Sequence, residues 1–121
     1  MLTTSITTNL LLTMPMHSPA HPGQIIREFI DGISEETGQR LTIRQVAEAL
    51  GVSRAAFSTL LNGRSSVTAA MALKLAAAFQ TTTPEHWVRL QESYDLAEAR
   101  KRPPARAVRV LWPAPAFQAA A

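Results

Sequence analysis

The sequence predicts an all-α domain of five helices, and three observations support this fold class. Apolar residues recur at three- and four-residue spacing throughout residues 21–99, which is the period of a helix with one buried face. Residues suited to helix N-caps precede these apolar runs, and glycine follows the first three of them. The strict alternation typical of half-buried strands is almost absent. With 121 residues, 46% of them apolar, the chain can form one domain with its own core.

The first two predicted helices are delimited by proline, threonine and glycine. The first follows Pro22 and is predicted to end near Gly38, because glycine is favoured just beyond a helix C-terminus. The second begins after Thr42, whose hydroxyl can cap free backbone amides, and stops at Gly51. Their apolar faces are formed by Ile25, Ile26, Phe29, Ile30 and Ile33 in the first helix and by Ile43, Val46, Ala47 and Leu50 in the second.

The other three helices begin at hydroxyl residues as well. The third follows Ser53 and ends at Asn62, the fourth follows Thr68, and the fifth opens with Thr83 and Pro84, an N-cap and a proline at the first helical position. Their apolar faces are formed by Phe57, Leu60 and Leu61 in the third helix, by Met71, Ala72, Leu75, Ala76 and Phe79 in the fourth, and by Trp87, Leu90, Tyr94 and Ala97 in the fifth.

Composition and charge divide the chain into three parts. Residues 1–20 form an uncharged, flexible leader, residues 21–100 form the helical domain, and residues 101–121 form a basic tail rich in proline and alanine. Residues 100–121 hold five basic residues and no acidic one, whereas residues 1–99 hold seven basic and nine acidic residues. The basic character therefore belongs to the tail, and a prediction of nucleic-acid binding must rest on the placement of individual charges.

The second and third helices meet across a short turn centred on Gly51. Ala47 is small where the two helices must approach each other, and Gly51 can adopt the left-handed conformation that such a turn requires. Val52 and Phe57 are predicted to fill the angle between the helices. This combination indicates a helix-turn-helix, in which the second helix enters the major groove of DNA.

The outward face of the third helix is the predicted DNA-reading surface. Arg54 lies in its first turn, where it can contact a guanine or a phosphate. The spacing alone also fits a helical corner that never touches nucleic acid, with Arg54 as a solvated surface charge. The absence of acidic residues from Gly51 to Val67 favours DNA. The predicted DNA-binding residues are Arg44, Ser53, Arg54, Ala55, Ser58, Thr59, Asn62 and Arg64.

Three motifs give the chain a resemblance to a known family. These are His21-Pro22-Gly23, Leu61-Asn62-Gly63, and Trp87 followed by Leu90-Gln91 and Tyr94-Asp95-Leu96. Together with the helix-turn-helix, they resemble the HigA-type antitoxins of the lambda-repressor-like (xenobiotic-response-element, XRE) superfamily. The resemblance covers residues 21–97 and leaves out the leader and the tail.

This resemblance implies a repressor that acts as a homodimer and binds a palindromic operator in its own promoter. It also implies that the protein neutralises a RelE-like ribonuclease toxin encoded beside it. The dimer contact of the family maps to Trp87, Leu90 and Tyr94. The seven-residue spacing of Trp87 and Tyr94 on one helix face also fits ordinary packing in the core. The chain departs from the family pattern by about six extra residues at Ser34–Arg40, and by Thr59, where relatives often carry a basic residue.

Other chemistry finds little support in the sequence. Cysteine is absent, the glycines are isolated, and Pro19 lies between His17 and His21, so we expect no enzyme activity, no metal site and no cofactor. No apolar run is long enough to span a bilayer. Residues 1–16 lack the basic residues of a secretory signal, so we expect a cytoplasmic protein.

Two alternatives to an antitoxin stay open at this level. The chain could be a helix-turn-helix regulator with no toxin partner, or a protein-interaction module that does not bind DNA. The role of the tail is open as well. The basic run at 100–102 fits contact with DNA phosphates, contact with an acidic partner, or a solubilising role, and residues 108–112 alternate enough to pair as a short strand with a partner.

Overall fold

The computed structural model describes residues 18–113, and within them it contains five α-helices and no β-strand. This confirms the predicted all-α, five-helix fold. Residues 1–17 of the predicted leader and residues 114–121 of the predicted tail lie outside the described part of the chain. The helices are α1 (Pro22–Thr37), α2 (Ile43–Leu50), α3 (Arg54–Leu61), α4 (Ala69–Ala78) and α5 (Pro84–Arg100).

A side chain caps the N-terminus of every helix in the described region. In each case it accepts a hydrogen bond from a backbone N–H of the first turn, which satisfies a donor that has no partner within the helix. The cap of α2 is reciprocal, because the Gln45 side chain also accepts from the backbone N–H of Thr42. The capping residues are His21, Thr42, Ser53, Thr68 and Thr83.

The residues predicted to be extra, Ser34–Arg40, form the last turn of α1 and the start of the loop that follows it. The helix continues to Thr37 and ends at Gly38, whose φ of 70° lies in the left-handed region, as predicted. The Ser34 hydroxyl donates to the carbonyl of Ile30 and accepts from the backbone N–H of Leu41, at 2.9 Å in each case. These bonds hold the loop against the last turns of α1.

The core draws large apolar side chains from all five helices. Ile26, Phe57, Leu75 and Trp87 have no exposed area. The half-buried Phe29 ring lies 5.8 Å from that of Trp87. Burial of this apolar surface is the main force that holds the short helices together, since isolated helices of eight to ten residues are unstable in water.

Trp87 belongs to this core, which corrects its predicted place at a dimer contact. Its side chain is fully buried within the single chain, and its indole N–H donates to the Thr82 hydroxyl at 2.8 Å. A side chain without exposed area cannot touch a second copy unless the core opens. The seven-residue spacing of Trp87 and Tyr94 reflects a packed helix face, with Trp87 on its buried side.

Gln91 is the buried polar side chain of this core. Its Oε1 accepts from the backbone N–H of Val67 at 2.8 Å, and its Nε2 donates to the Asp95 carboxylate at 2.9 Å. Gln91 therefore ties the loop between α3 and α4 to α5. A buried backbone N–H without a partner is costly, so this bond fixes the end of the loop.

We expect Gln91→Met to lower the free energy of unfolding by about 1–3 kcal/mol. Methionine keeps most of the side-chain volume but cannot accept from Val67, which leaves the N–H of Val67 buried without an acceptor. Urea denaturation followed by circular dichroism measures the change. Glu92→Met, at the exposed neighbouring position, is the control and should change stability by less than about 0.5 kcal/mol. Equal stability of the two variants would contradict this role for Gln91.

None of the helices within residues 18–113 combines the length and the apolar composition needed to cross a bilayer.

Candidate nucleic-acid interface

The turn between α2 and α3 has the geometry predicted for a helix-turn-helix. Gly51 has a φ of 72° and a ψ of 33°, in the left-handed region. The backbone N–H of Val52 donates to the carbonyl of Ala47 at 3.0 Å, which closes the end of α2. Ala47 and Phe57 are buried and Val52 is half-buried, so these side chains fill the angle between the helices as predicted.

One side of α3 faces solvent and carries most of the predicted reading residues. Ser53, Arg54, Ala55 and Thr59 are exposed, whereas Ser58 is half-buried. The opposite side packs into the core through Phe57, Leu60 and Leu61. The structure thus brings the predicted residues onto one surface, with Ser58 at its edge.

Two hydroxyl groups on this surface already take part in bonds within α3. The Ser53 hydroxyl oxygen accepts from the backbone N–H of Ala56 at 3.0 Å, so its own hydrogen can still be donated to a phosphate. The Thr59 hydroxyl donates to the carbonyl of Ala55 at 2.9 Å. Thr59 therefore presents a methyl group and an acceptor oxygen, which suits a thymine methyl or a base amino group.

Four arginines line an open groove of about 850 Å³ beside the N-terminus of α3. The groove runs between α1, the loop after α1 and the N-terminus of α2, and Asp31 and Glu35 line it as well. Guanidinium groups and a helix N-terminus are groups that hold phosphates on DNA. The four arginines are Arg27, Arg40, Arg44 and Arg54.

Two of these arginines, Arg27 and Arg40, were missed by the sequence reasoning. Arg40 lies in the loop after α1, two residues before the Thr42 cap of α2. That position was the available signal, because the N-terminus of a helix attracts anions. Arg27 lies on α1 and carried no such signal, since it reaches the groove through the packing of α1 on α3.

Arg27 also anchors the C-terminus of α3. Its Nη2 donates to Oδ1 of Asn62 at 2.9 Å, and its Nε lies 3.5 Å from the carbonyl oxygen of Leu61. The Asn62 amide oxygen is therefore engaged within the protein, and its amide NH₂ group is the part that can donate to a phosphate. Arg64, in the loop after α3, is exposed.

The N-terminus of α1 packs directly on the end of α3. Gly23 permits this approach, because a Cβ atom there would lie 2.9 Å from the carbonyl oxygen of Leu61 and would also collide with that of Leu60. The His21 ring covers Gly63, with its Cγ 3.6 Å from the place where a Cβ atom would stand. The position of α3 is thus set by backbone contact with α1.

The chain segment that contains α3 carries no acidic residue. No aspartate or glutamate occurs between Glu48 and Glu85, a segment that contains α3, the loop after it and α4. Asp31 and Glu35 of α1 line the neighbouring groove, where the four arginines outnumber them. Phosphate groups therefore meet no carboxylate from α3 itself and a net positive charge in the groove.

Comparison with known proteins identifies the family of this chain. The profile of a helix-turn-helix domain family matches residues 35–87. Virulence-associated protein A' of Dichelobacter nodosus is 41% identical over 97 residues, which are 80% of this chain and 78% of that protein. Antitoxin HigA-1 of Vibrio cholerae is 38% identical over 85 residues, which are 69% of this chain and 73% of that protein. The chain belongs to the HigA-type family of XRE helix-turn-helix proteins.

A solved structure of the HigA-type family shows the same fold. It is Pseudomonas aeruginosa antitoxin HigA with the higBA promoter, which matches with a TM-score of 0.58 and 31% identity over 69% of this chain and 84% of that chain. The predicted membership of the HigA-type family is thereby confirmed.

Two residues of the predicted dimer contact stay candidates in this HigA-type chain. Leu90 is half-buried against the core, and the half-buried Tyr94 places its ring edge-on to that of His21, with the ring centroids 4.8 Å apart. Both keep some exposed area, so a second copy can reach them, and their role at a dimer surface remains a prediction.

The histidines of this HigA-type chain have local roles where they are described. Nδ1 of His21 accepts from the backbone N–H of Gly23 at 2.9 Å, so His21 caps the N-terminus of α1. His86 is exposed in the first turn of α5. His17 lies outside the described residues. Among residues 18–113, no three His, Asp or Glu side chains converge in a way that could hold a metal ion.

Proposed function

We propose that this chain is the DNA-binding antitoxin of a type II toxin–antitoxin pair. In this proposal it acts in the cytoplasm as a homodimer, represses its own promoter at a palindromic operator, and neutralises a RelE-like ribonuclease toxin. One observation carries the DNA half of the proposal. The exposed face of α3 begins at Arg54 beside the arginine-lined groove, on a segment without acidic residues.

The geometry suggests how DNA would be bound. The face of α3 enters the major groove, where Arg54 can donate two hydrogen bonds to a guanine and the small Ala55 permits close approach. Arg40 and Arg44 line the groove beside α3 and would bind phosphates on one side of the major groove. Arg64 would bind phosphates on the opposite side. In a dimer, the two copies of α3 should lie about 34 Å apart, one turn of B-DNA.

The relatives support both halves of the proposal. The Pseudomonas aeruginosa HigA structure contains promoter DNA by its own description, and it shares the fold at 31% identity. The Vibrio cholerae relative is named an antitoxin.

We expect Arg54→Ala to weaken specific DNA binding by about 1–3 kcal/mol, because a bidentate contact to a base is lost. Fluorescence anisotropy with a labelled duplex from the region upstream of the gene measures this, against a scrambled duplex of the same length. The loss should be larger on the upstream duplex than on the scrambled one.

Two arginine variants serve as comparisons for Arg54→Ala. Arg64→Ala should weaken both duplexes to the same extent, as expected for a phosphate contact. Arg89→Ala removes an exposed arginine on the side of α5 that faces α4, away from the groove, and should change neither affinity. If Arg54→Ala binds the upstream duplex as tightly as the unmodified protein, the assignment of the reading helix is wrong.

The antitoxin half of the proposal needs its own experiment. The reading frame adjacent to the gene is induced alone and then together with this chain, and growth is recorded. Growth arrest that this chain relieves supports the antitoxin function. A well-expressed neighbour that causes no arrest would contradict that function and leave the DNA half of the proposal intact.

A stand-alone regulator without a toxin is the second candidate. One observation favours it, since a relative from Escherichia coli, 33% identical over 88 residues, is named a helix-turn-helix transcriptional regulator. The growth experiment separates the two candidates. Absence of specific DNA binding at low salt would instead favour the protein-interaction module.

A further inference from the structure

The basic tail after α5 has no role in the proposed site. Residues 101–113 are exposed and form neither helix nor strand. Pro103 and Pro104 prevent the helix from continuing, because proline lacks a backbone donor and clashes with the preceding turn. The segment instead carries exposed cationic side chains outside any helix.

The charge of the tail contrasts with that of the rest of the chain. Residues 100–121 hold five basic residues and no acidic one, whereas acidic residues exceed basic ones in residues 1–99. Within residues 18–113, Lys101 pairs with Glu98 at 2.7 Å, and its ammonium group lowers the pKa of the Glu98 carboxyl below the ordinary value by hydrogen bonding. Arg102, Arg106 and Arg109 have no ion-pair partner in the same range.

The packing of α5 places the start of the tail near the proposed DNA surface. The Tyr94 ring lies 4.8 Å from the His21 ring, and His21 covers Gly63 in the loop after α3. Gln91 ties the same loop to α5 through Val67. The second half of α5 thus lies beside the loop whose exposed Arg64 is proposed to hold a phosphate.

Distances allow the tail to reach DNA beyond this loop. From Tyr94 to the end of α5 the helix rises only about 9 Å. From Lys101 to Trp112 the extended chain can span up to about 36 Å. This length covers several phosphates along a strand next to the region that α3 would read.

We propose that the described part of the basic tail, residues 101–113, binds the phosphate backbone of duplex DNA that flanks the site read by α3. The contact is independent of base sequence, extends the footprint on the side of Arg64, and supplies the long-range attraction that the net acidic remainder of the chain lacks. This inference rests on the proposed DNA-binding function.

The apolar residues of the tail would suit a protein partner instead, and the test must distinguish such a partner from DNA. Val108 and Trp112 are 83% and 80% exposed, and their spacing would suit strand addition to a protein sheet edge. The charge of the segment and its place beside Arg64 favour DNA. The two partners differ in which side chains matter, the arginines for DNA and the apolar residues for a protein.

The test compares two duplexes from the upstream region. Footprinting of a variant with Arg106→Gln and Arg109→Gln first locates the site that is protected without these tail charges. Anisotropy then measures binding of the full chain to a duplex trimmed to that site and to one extended by about one helical turn on each side, between about 50 and 200 mM salt. The main variant is Arg106→Gln with Arg109→Gln, which removes two charges from an exposed segment and leaves the helices untouched.

We expect the unmodified chain to bind the extended duplex about 10-fold more tightly than the trimmed one at low salt. The glutamine variant should lose most of this gain, and the slope of log affinity against log salt should fall by about 2, since each phosphate contact contributes about 0.9. Binding to the trimmed duplex should stay within about twofold.

Two matched variants sharpen the result. Arg106→Lys with Arg109→Lys keeps both charges and should bind the extended duplex as the unmodified chain does, because phosphate contact needs only the charge. Val108→Ser with Trp112→Ser keeps every charge and removes the apolar side chains that would suit strand addition, so it should also bind normally. A loss in the serine variant equal to that in the glutamine variant would overturn the proposal.

The remaining outcomes separate this inference from the function on which it rests. Specific binding to the trimmed duplex with no gain from the flanks would overturn the role of the tail and leave the DNA-binding function standing. Equal affinity of the glutamine variant and the unmodified chain for the extended duplex would do the same. Failure of the unmodified chain to bind either duplex would overturn both.

Discussion

Replacing Trp87 with alanine is expected to lower the free energy of unfolding by about 3–5 kcal/mol. Trp87 has no exposed area, packs against Phe29 and donates its indole N–H to Thr82. Its removal leaves a large cavity and a lost hydrogen bond in a domain of this size, whose total stability is only about 5–15 kcal/mol. Urea denaturation followed by far-ultraviolet circular dichroism measures the loss.

The same variant distinguishes a core residue from a dimer contact. Arg89→Ala, at an exposed site two residues further along α5, should change stability by less than about 0.5 kcal/mol. The loss in Trp87→Ala should persist when the protein is diluted, because it arises within one chain. If Trp87→Ala keeps its stability but sediments as a monomer, whereas the unmodified chain sediments as a dimer, Trp87 is a dimer contact and not a core residue.

Gly23→Ala is expected to lower the free energy of unfolding by about 2–3 kcal/mol. The added methyl group would collide with the carbonyl oxygens of Leu60 and Leu61, which are backbone atoms at the end of α3 and cannot rotate aside. Helix α1 must then move away from α3. Because α3 carries the proposed reading surface, specific DNA affinity should fall with stability.

Gly32→Ala is the matched control on the same helix. A methyl group at Gly32 meets nothing within 4 Å, and alanine is favoured over glycine inside a helix, so this variant should gain about 0.5–1 kcal/mol. Thermal unfolding of both variants, followed by circular dichroism, gives the comparison. If both substitutions change the free energy of unfolding in the same direction by similar amounts, close packing at Gly23 does not explain the effect of Gly23→Ala.

The prediction for Gly23→Ala concerns the contacts that hold α3 in place. Its N-terminus is positioned by the turn at Gly51, and its C-terminus by α1 through Gly23 and through the Arg27 bond to Asn62. A rigid reading helix loses little conformational entropy on binding DNA. Substitutions at the N-terminus of α1 should therefore lower the affinity for DNA, although these residues do not contact DNA.

The helices and their ends could be read from residue types alone, since their determinants are local. The caps at Thr42, Ser53, Thr68 and Thr83 each bond to a residue three positions away. Apolar spacing of three and four residues then specified the buried side of each helix, and the turn at Gly51 followed from its need for a positive φ. The fold class and the outward face of α3 were predictable for these reasons.

Contacts between distant residues could only be seen once the helices were packed. The bonds of Arg27 to Asn62 and of Gln91 to Val67 join residues 35 and 24 positions apart. The spacing of apolar residues around Trp87 does not show whether they pack against their own chain or against a second copy, because either contact buries the same apolar surface. The angles at which the helices pack made Trp87 a core residue and brought Arg40 beside Arg44 and Arg54.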